Sequence, residues 1–240
     1  MPTRVPSIMH PPIGFAHRGA RAHAPENTIE AFSLALRLGA TGLESDVWLT
    51  ADGEAVLDHD GVLGSLRKRR IASVTRAELP EHIPTLAELF ERCGSDFELS
   101  LDVKDPSAGS RVAEVVRSVG PEQAERVWLC HDDLELMTSW RDEAPGLRLV
   151  DSTYLRHAKQ GPERLAATLQ AGRIDAVNLH HSEWSGGLVT LFHRFGILAF
   201  GWDAQHDRVL DELLDSGIDA VYSDHVDRLV EALGRLVETS

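Results

Sequence analysis

The feature that most constrains the fold is a strand-then-helix order that repeats along almost the whole chain. Short apolar segments of strand length alternate with segments whose apolar residues recur at helical spacing, eight times from Ile13 onward. Strands that are joined by helices run parallel and are connected by right-handed crossovers. Eight such units in 240 residues predict a single-domain α/β fold, a (β/α)8 TIM barrel. No GxGxxG fingerprint supports the alternative, an open doubly wound sheet.

The element boundaries follow from the apolar pattern and from capping and turn residues. Strands are predicted at residues 13–16, from residue 42, and at 97–103, 126–130, 147–151, 175–179, 197–202 and 218–223. Helices are predicted from near Pro25 to Gly39 and at residues 85–92, 110–119, 134–143, 162–171, 187–195, 207–216 and 226–237. Residues 61–83 break the pattern and are predicted to form an irregular excursion. Residues 1–12 contain four prolines and are predicted to be a flexible extension of a barrel that spans residues 13–240.

The acidic charge of the chain restricts its partners. A formal net charge of -14 at pH 7, from 38 acidic and 24 basic residues, argues against nucleic-acid binding. An anionic substrate therefore needs positive charge placed close to it. The basic run Arg67-Lys68-Arg69-Arg70 is typical of a solvated surface, although anionic headgroups could meet it.

Cysteine usage and hydropathy predict a cytoplasmic protein without stable membrane insertion. Cys93 and Cys130 lie far apart with no CxxC spacing, which is typical of buried or unreactive thiols in a reducing compartment. The first residues lack the apolar run of a signal peptide, and no stretch approaches the roughly twenty apolar residues of a membrane span. The sequence leaves the oligomeric state open.

Charged residues gather where the predicted strands end, and in a barrel those ends form one rim. Glu44 and Asp46 are two positions apart on the second strand, so both side chains face the same way. Asp102 ends the third strand and would converge with them. Carboxylates on an apolar strand are costly to bury without a cation or a proton. Three oxygen ligands suit one divalent cation, Mg²⁺ or Ca²⁺.

Two other interpretations of these groups stay open. Asp102 and Lys104 share the two-residue spacing, and they could form a simple buried ion pair. Zinc is a weaker alternative to Mg²⁺ or Ca²⁺, with His17 or His59 among its ligands.

His17 and His59 are the candidates for proton transfer, because imidazole titrates near neutral pH and both lie close to the carboxylates in the sequence. Arg18 and Lys104 supply positive charge at the same rim. A cation that polarises a phosphoryl oxygen, with an arginine and a lysine beside it, suits a phosphate ester. Together these residues predict hydrolysis of a phosphodiester.

Several short motifs hold these residues. The most specific are His17-Arg18-Gly19-Ala20, Pro25-Glu26-Asn27-Thr28 with Ala31-Phe32, Leu43-Glu44-Ser45-Asp46-Val47 through Thr50-Ala51-Asp52-Gly53, and Leu57-Asp58-His59-Asp60. Weaker ones are Ile83-Pro84-Thr85-Leu86, Leu101-Asp102-Val103-Lys104, Gly201-Trp202-Asp203-Ala204 and the run from Gly217 to Asp224. In these motifs, and over nearly its whole length, the chain resembles the glycerophosphodiester phosphodiesterase family.

The resemblance implies a (β/α)8 barrel that hydrolyses small-molecule glycerophosphodiesters to glycerol 3-phosphate and an alcohol. It implies the same metal ligands, Glu44, Asp46 and Asp102, for Mg²⁺ or Ca²⁺. It also implies His17 and His59 as acid and base, and Arg18 and Lys104 as phosphate contacts. Trp202 would line the substrate cleft, Asn27 would reach the ligand, and Glu26 would support the site.

Three features of the chain depart from the family pattern: one residue, one motif and one segment. Asp102 stands where glutamate is usual, so the side chain of the third expected metal ligand is shorter. Trp202-Asp203-Ala204-Gln205 stands where Trp-Thr-Val-Asn is usual, which bears on substrate selection. The excursion after His59 is short and lacks the usual Asp-Arg-Thr pattern, so any cap over the glycerol side would be reduced.

Two other functions are compatible with part of this residue set. An aspartate and a lysine at positions 102 and 104 also resemble the related lysophospholipase D and sphingomyelinase D type enzymes. The secreted forms of those enzymes usually carry disulfides around the site, an arrangement that Cys93 and Cys130 do not suggest. A catalytically silent barrel that only binds phosphate-bearing ligands is less expected, because a binding protein needs no acid and base pair.

Overall fold

Eight parallel strands close into a barrel, which confirms the predicted single-domain (β/α)8 fold. A computed structural model describes residues 6–64 and 68–238 of the chain. The strands are β1 (Ile13–Ala16), β2 (Gly42–Leu49), β3 (Ala55–Leu57), β4 (Val62–Leu63), β5 (Arg69–Arg70), β6 (Glu98–Val103), β7 (Val127–His131), β8 (Arg148–Ser152), β9 (Ala176–His180), β10 (Leu198–Trp202) and β11 (Ala220–Ser223). Strands β1, β2 and β6 to β11 lie side by side in that order, and β11 pairs back with β1.

Helices alternate with the barrel strands along the chain. They are α1 (Ile29–Arg37), α2 (Leu86–Cys93), α3 (Ala108–Val119), α4 (Leu134–Glu143), α5 (Pro162–Ala171), α6 (Gly186–Arg194), α7 (Asp207–Asp215) and α8 (Val226–Glu238). Only α4 and α5 have the predicted bounds. Helix α1 begins later than Pro25 because Thr28 is its N-cap, whose hydroxyl accepts the backbone N–H of Ala31. None of the described helices has the length and apolar character that a membrane crossing requires.

The excursion after β3 contains more regular structure than the sequence indicates. Strand β3 pairs antiparallel with the end of β2, and β4 and β5 form a separate two-stranded sheet. Two single-turn 3-10 helices follow, Ile71–Ser73 and Arg76–Glu78. Strands of two residues, such as β4 and β5, are too short to show an apolar period, which is why residues 61–83 were predicted to be irregular. Residues 65–67, including Arg67 of the basic run, lie outside the described residues.

Alternating side chains divide the core into an inner and an outer layer. Phe15, Trp128, Phe200 and Tyr222 belong to the apolar cluster inside the barrel. Residues at the intervening positions, such as Leu101, pack with the helices in a second cluster. On β2 and β6 the inward positions nearest the carboxyl ends are polar instead. The barrel interior therefore changes from apolar to polar toward one rim.

Residues 6–12 contact the end of the barrel where the strands begin. The Asp219 carboxylate, just before β11, accepts hydrogen bonds from the Ser7 hydroxyl at 2.7 Å and from the backbone N–H groups of Ile8 and Met9 at 2.8 and 3.0 Å. Residues 1–5 lie outside the described part of the chain. The flexible extension over residues 1–12 stays a prediction.

Both cysteines are free thiols. Cys130 is buried and Cys93 is half-buried, and burial raises the pKa of each thiol. A thiol whose pKa is raised holds little thiolate at neutral pH, so neither cysteine has the character of a reactive group.

Candidate active site

A cavity of about 510 Å³ opens at the carboxyl-terminal rim of the barrel, a volume that suits a small-molecule ligand. Its lining consists of His17, Arg18, Glu44, His59, Ser100, Asp102, Lys104, Cys130, Ser152, Tyr154, Asn178, Trp202, Asp203, Gln205 and Tyr222. The cavity thus brings together most of the residues that the sequence singles out. Asp46, Glu26 and Asn27 lie outside this lining.

Glu44 and Asp46 are buried on the inner face of β2. The two residues are 6% and 3% exposed, and the Glu44 carboxylate accepts the backbone N–H of Arg18 at 2.8 Å. Burial raises the pKa of Glu44 to about 7 and also raises the pKa of Asp46, because the charged carboxylates lose hydration. Asp46 Oδ2 is buried without a hydrogen-bond partner. The cationic atom facing Asp46 Oδ2 is Arg18 Nε, at 3.8 Å, which is beyond hydrogen-bond distance.

Lys104 lies between Asp46 and Asp102. Its ammonium group is 3.2 Å from Asp46 Oδ1 and 2.6 Å from Asp102 Oδ2. Although burial opposes the charge, the two carboxylates raise the pKa of Lys104, so the ammonium stays charged at neutral pH. Asp46 and Asp102 are also register partners across β2 and β6. The ion pair considered from the sequence is present, with Asp46 as a second partner of the lysine.

The tightest groups of metal-binding side chains among the described residues lie elsewhere on the same rim. In each of two groups, the ligand atoms all lie within 4.8 Å of one another. These groups are His23 with His225 and Asp227, and His180 with His181 and Asp203. The three carboxylates on β2 and β6 do not form such a group, and an ammonium lies between two of them.

His17 is held by Asp224, a contact that the sequence did not reveal. His17 Nδ1 is 2.6 Å from Asp224 Oδ1, and its Nε2 is 3.8 Å from Glu44 Oε2. Although burial disfavours the imidazolium, Glu44 and Asp224 together raise the pKa of His17. Burial likewise opposes the Asp224 charge, yet the bond to His17 lowers the pKa of Asp224. The only signal in the sequence was the position of Asp224 after the eighth strand.

Arg18 is placed by an unusual backbone conformation and by Glu26. Its φ of 54° lies in the left-handed region, which is costly for a residue with a side chain. The guanidinium Nη1 is 3.1 Å from Glu26 Oε1, and Arg21 Nε is 2.6 Å from the other oxygen of that carboxylate. Arg18 Nε is buried without a hydrogen-bond partner. Glu26 lies outside the cavity lining and forms an ion pair with Arg18, which is part of that lining.

His59 lies on a turn that neighbouring residues hold in place. Trp48 Nε1 donates to the Asp58 carbonyl at 2.9 Å, and Asp58 Oδ2 accepts the backbone N–H of Gly61 at 2.7 Å. His59 Nδ1 is 2.8 Å from Asp60 Oδ1, and the His59 side chain is 40% exposed. The turn therefore presents His59 at the solvent side of the cavity.

Asn27 lies on the outer side of β2 and does not line the cavity. It is buried, and its Oδ1 accepts the Ser45 hydroxyl at 2.7 Å. Ser45 alternates with Glu44 and Asp46, so its side chain points away from the barrel interior. Asn27 therefore joins the loop before α1 to β2, and its contact with a ligand stays a prediction.

Aromatic rings form another wall of the cavity. Trp202, at the end of β10, packs edge to face against Tyr154 and His180, with ring centroids 5.6 and 4.7 Å apart. Tyr154 follows β8 and also lines the cavity. The sequence did not single out Tyr154, because an isolated aromatic residue in a short loop carries no motif.

The sequence and the fold are similar to those of known proteins. The model of the glycerophosphoryl diester phosphodiesterase family matches residues 17–228. A glycerophosphodiester phosphodiesterase of Caldanaerobacter subterraneus subsp. tengcongensis is 26% identical over 239 residues, which cover 90% of this chain and 95% of that protein.

Solved structures resemble the chain over almost its whole length. A glycerophosphodiester phosphodiesterase from Thermotoga maritima superposes with a TM-score of 0.79 and 26% identity, covering 91% of this chain and 97% of that one. An Oleispira antarctica phosphodiesterase, solved with the product sn-glycerol-3-phosphate, has a TM-score of 0.80. It is 22% identical and covers 93% of this chain and 97% of its own, a likeness that bears on the fold.

Proposed function

Because the chain belongs to the glycerophosphoryl diester phosphodiesterase family and is a phosphodiesterase, we propose that it hydrolyses glycerophosphodiesters to glycerol 3-phosphate and an alcohol. His17 and His59 transfer the protons, and a divalent cation, Mg²⁺ or Ca²⁺, assists. The product bound to the Oleispira antarctica phosphodiesterase supports this choice of reaction.

The observation that carries the proposal is the meeting of imidazoles, carboxylates and cationic side chains in one cavity. His17 and Arg18 follow β1, Glu44 lies on β2, and His59 follows β3. A protein that only binds phosphate esters would need the cationic groups. It would not need an imidazole held by a carboxylate, as His17 is by Asp224. This arrangement therefore supports catalysis over simple binding.

Glu44, Asp46 and Asp102 are the donors proposed for the cation, since Mg²⁺ and Ca²⁺ prefer oxygen ligands. Two observations support the fit. Asp46 Oδ2 is buried without a hydrogen-bond partner, and burial raises the pKa of Glu44 to about 7. The first leaves a carboxylate oxygen without a hydrogen bond, and the second shows that burial makes the charged form of Glu44 costly, so a cation between these carboxylates would stabilise both. When bound, the cation supplies electrostatic stabilisation for the charge that develops on the phosphoryl oxygens.

The two histidines perform complementary proton transfers. Hydrolysis breaks the bond between phosphorus and the alcohol oxygen, and the attacking oxygen is that of water or that of a neighbouring substrate hydroxyl, which forms a cyclic phosphate that water then opens. One histidine accepts the proton of the attacking oxygen, and the other donates a proton to the departing oxygen. Asp224 holds His17 through Nδ1, and Asp60 holds His59 through Nδ1. In each ring the Nε2 atom is left for the transfer.

Arg18 and Lys104 bind the phosphate group, because they are the cationic side chains in the cavity lining. Glu26 positions Arg18 through its ion pair. Trp202 contributes an apolar wall for the rest of the substrate, and Asn27 supports the loop that carries Glu26.

Product analysis tests the proposal. The full chain is incubated with glycerophosphocholine, glycerophosphoethanolamine or glycerophosphoglycerol, with Mg²⁺ and Ca²⁺ compared, and glycerol 3-phosphate is measured. We expect release from at least one diester, loss of release in excess chelator, and recovery when the cation is restored. Full activity in excess chelator would remove the cation from the mechanism. No release from any diester would overturn the proposal.

A lysophospholipid is the matched comparison substrate. Lysophosphatidylcholine carries the same phosphocholine group as glycerophosphocholine but adds an acyl chain. We expect glycerophosphocholine to be cleaved faster at equal concentration. Cleavage of the lysolipid alone would contradict the proposed substrate class.

A further inference from the structure

We propose that His180, His181 and Asp203 form a second metal site, which binds a divalent transition-metal ion such as Zn²⁺. Their ligand atoms all lie within 4.8 Å of one another. Two imidazole nitrogens and one carboxylate oxygen are ligands that Zn²⁺ prefers over the all-oxygen set suited to Mg²⁺. The site is separate from the carboxylates of β2 and β6 and does not depend on the proposed reaction.

The distance between two of the ligand atoms already suits a zinc ion. His180 Nε2 is 3.3 Å from Asp203 Oδ2. With metal–ligand bonds of about 2.1 Å and tetrahedral angles, two ligand atoms of one zinc ion lie about 3.4 Å apart. The ligand atom of His181 lies within 4.8 Å of both of these atoms. Three protein ligands leave a fourth coordination position for water or for a bound molecule.

Neighbouring side chains hold the remaining polar atoms of two ligands. Ser182 Oγ is 2.8 Å from His180 Nδ1, and the Ser182 backbone N–H is 3.3 Å from the same nitrogen. A metal bound through Nε2 would require Nδ1 to carry the ring proton and to donate it to Ser182 Oγ. Gln205 Nε2 donates to Asp203 Oδ1 at 3.2 Å, which leaves Oδ2 for the metal. Metal ligands in proteins commonly have such partners, which fix the orientation of the ring or carboxylate.

The backbone at Asp203 is also compatible with a functional role. Asp203 has a φ of 63°, a conformation that is costly for a residue with a side chain and that concentrates at functional sites.

The site lies across the cavity from the carboxylates proposed for Mg²⁺ or Ca²⁺. Strands β9 and β10, which precede the residues of the group or carry them, are three or four positions away from β2 and β6 in the ring of eight. Asp203 itself lines the cavity, and the His180 ring packs against Trp202. A metal ion here would add positive charge to the aromatic wall, where an anionic group of a ligand could bind.

The other histidine and aspartate group on the rim is a matched control. It contains His23, His225 and Asp227, the same three residue types. It is more exposed: the side chains of His23 and Asp227 are 36% and 55% exposed, compared with 25% and 48% for His180 and Asp203. A more exposed set of ligands is less well fixed, so we assign the ion to the group beside Trp202.

Zinc titration of the full chain by calorimetry tests the assignment, with binding as the measurement. With excess Mg²⁺ present to compete for the β2 and β6 carboxylates, we expect a Zn²⁺ binding step that His181→Ala and Asp203→Asn each weaken by about tenfold or more. His225→Ala removes a ligand of the control group, and Asp46→Asn removes one of the β2 carboxylates. Both should leave this binding unchanged. Equal thermal midpoints without metal show that each variant is folded.

Cobalt gives a second measurement, which reports on the ligands around the bound ion. Co²⁺ bound by two histidines and an aspartate with few waters should absorb in the visible range more strongly than hydrated Co²⁺. That absorption should be lost in His181→Ala and kept in His225→Ala. Zinc binding and cobalt absorption that survive in both His181→Ala and Asp203→Asn would overturn the proposal. Loss of both signals in His225→Ala alone would also overturn it.

Discussion

His17 owes its orientation to a residue that lies 207 positions further along the chain. Asp224 Oδ1 is 2.6 Å from His17 Nδ1, and this bond fixes the plane of the ring. Asp224 is itself fixed by a hydrogen bond, because Gln205 Oε1 accepts its backbone N–H at 2.9 Å. Asp224 is therefore a positioning residue for the histidine that we propose as a proton-transfer group.

Replacement of Asp224 by asparagine should lower kcat by about tenfold or more and change KM little, because the ring of His17 loses its fixed orientation. His17→Ala, which removes the group itself, should cost about a hundredfold or more. Asp224→Glu should recover part of the loss. The measurement is steady-state kinetics with glycerophosphocholine.

Asp227→Asn is the control for Asp224→Asn, because Asp227 is a neighbouring aspartate that pairs with the exposed His23. It should keep kcat near the wild-type value. A wild-type kcat in Asp224→Asn would show that this carboxylate does not position the catalytic ring.

The sequence identifies those site residues whose spacing has a direct geometric meaning. Glu44 and Asp46 share a face because side chains alternate along a strand, and Asp102 meets them because β6 is the next barrel strand. Asp224 and Tyr154 carry no such spacing. Their roles depend on where separate loops meet at the rim, which only the folded barrel determines.

At the scale of elements, the turn between β3 and β4 determines where His59 lies. Gly61 has a φ of 65°, and a Cβ added there would lie 2.4 Å from the Trp48 ring. Trp48 also donates its indole N–H to the Asp58 carbonyl. The end of β2 and this turn are thus packed so closely that a single methyl group cannot be added without movement.

Gly61→Ala should therefore displace the His59 turn and lower kcat by about tenfold to a hundredfold, since misplacement by about 1 Å costs that much. Gly53→Ala is the matched control. Gly53 has a similar φ of 83°, but an added Cβ would meet nothing within 4 Å. That variant should lose about 1 kcal/mol of stability to backbone strain and keep its kcat. Equal activities for the two variants would contradict the role given to the turn.

The long elements were predictable, whereas the short ones were not. Each barrel strand is an apolar run followed by a helix with periodic apolar residues, so the order of the eight units could be derived from the sequence. The strands β4 and β5 have two residues each and show no period. Helix α1 was placed too early, because the loop from Pro25 to Thr28 precedes the capping residue.

On the scale of the whole molecule, one end of the barrel carries the cavity and the other carries contacts that stabilise the fold. The carboxyl-terminal rim holds the cavity. At the opposite end, Asp219 accepts hydrogen bonds from residues 7–9, from the backbone N–H of Ala199 at 2.8 Å, and from His193 Nε2 at 2.6 Å. One buried carboxylate thereby joins the N-terminal segment, α6, β10 and β11. In barrels of this type, such contacts at the amino-terminal end serve stability.

Asp219→Asn should lower the free energy of unfolding at pH 7 by about 2–4 kcal/mol, because it removes a charged acceptor from a buried network. The measurement is urea unfolding, with Asp215→Asn, at an exposed position on α7, as the control. Because Asp219 lies at the opposite end from the cavity, kcat at a temperature where the variant is folded should stay near the wild-type value. A large loss of kcat in fully folded Asp219→Asn would contradict this separation of tasks.

The destabilisation by Asp219→Asn should depend on pH in a defined direction. Burial alone would raise the pKa of Asp219, but the hydrogen bonds from His193, Ala199 and Met9 outweigh it and lower the pKa. A carboxyl group whose pKa is lower in the folded state stabilises the fold above its unfolded pKa of about 3.9. This stabilisation is lost as the pH falls through the lower, folded-state value. The difference in unfolding free energy between the wild type and Asp219→Asn should therefore be full above about pH 5 and shrink below about pH 4. A difference that grows as the pH falls from 5 to 3 would show that the charged form of Asp219 does not stabilise the folded state.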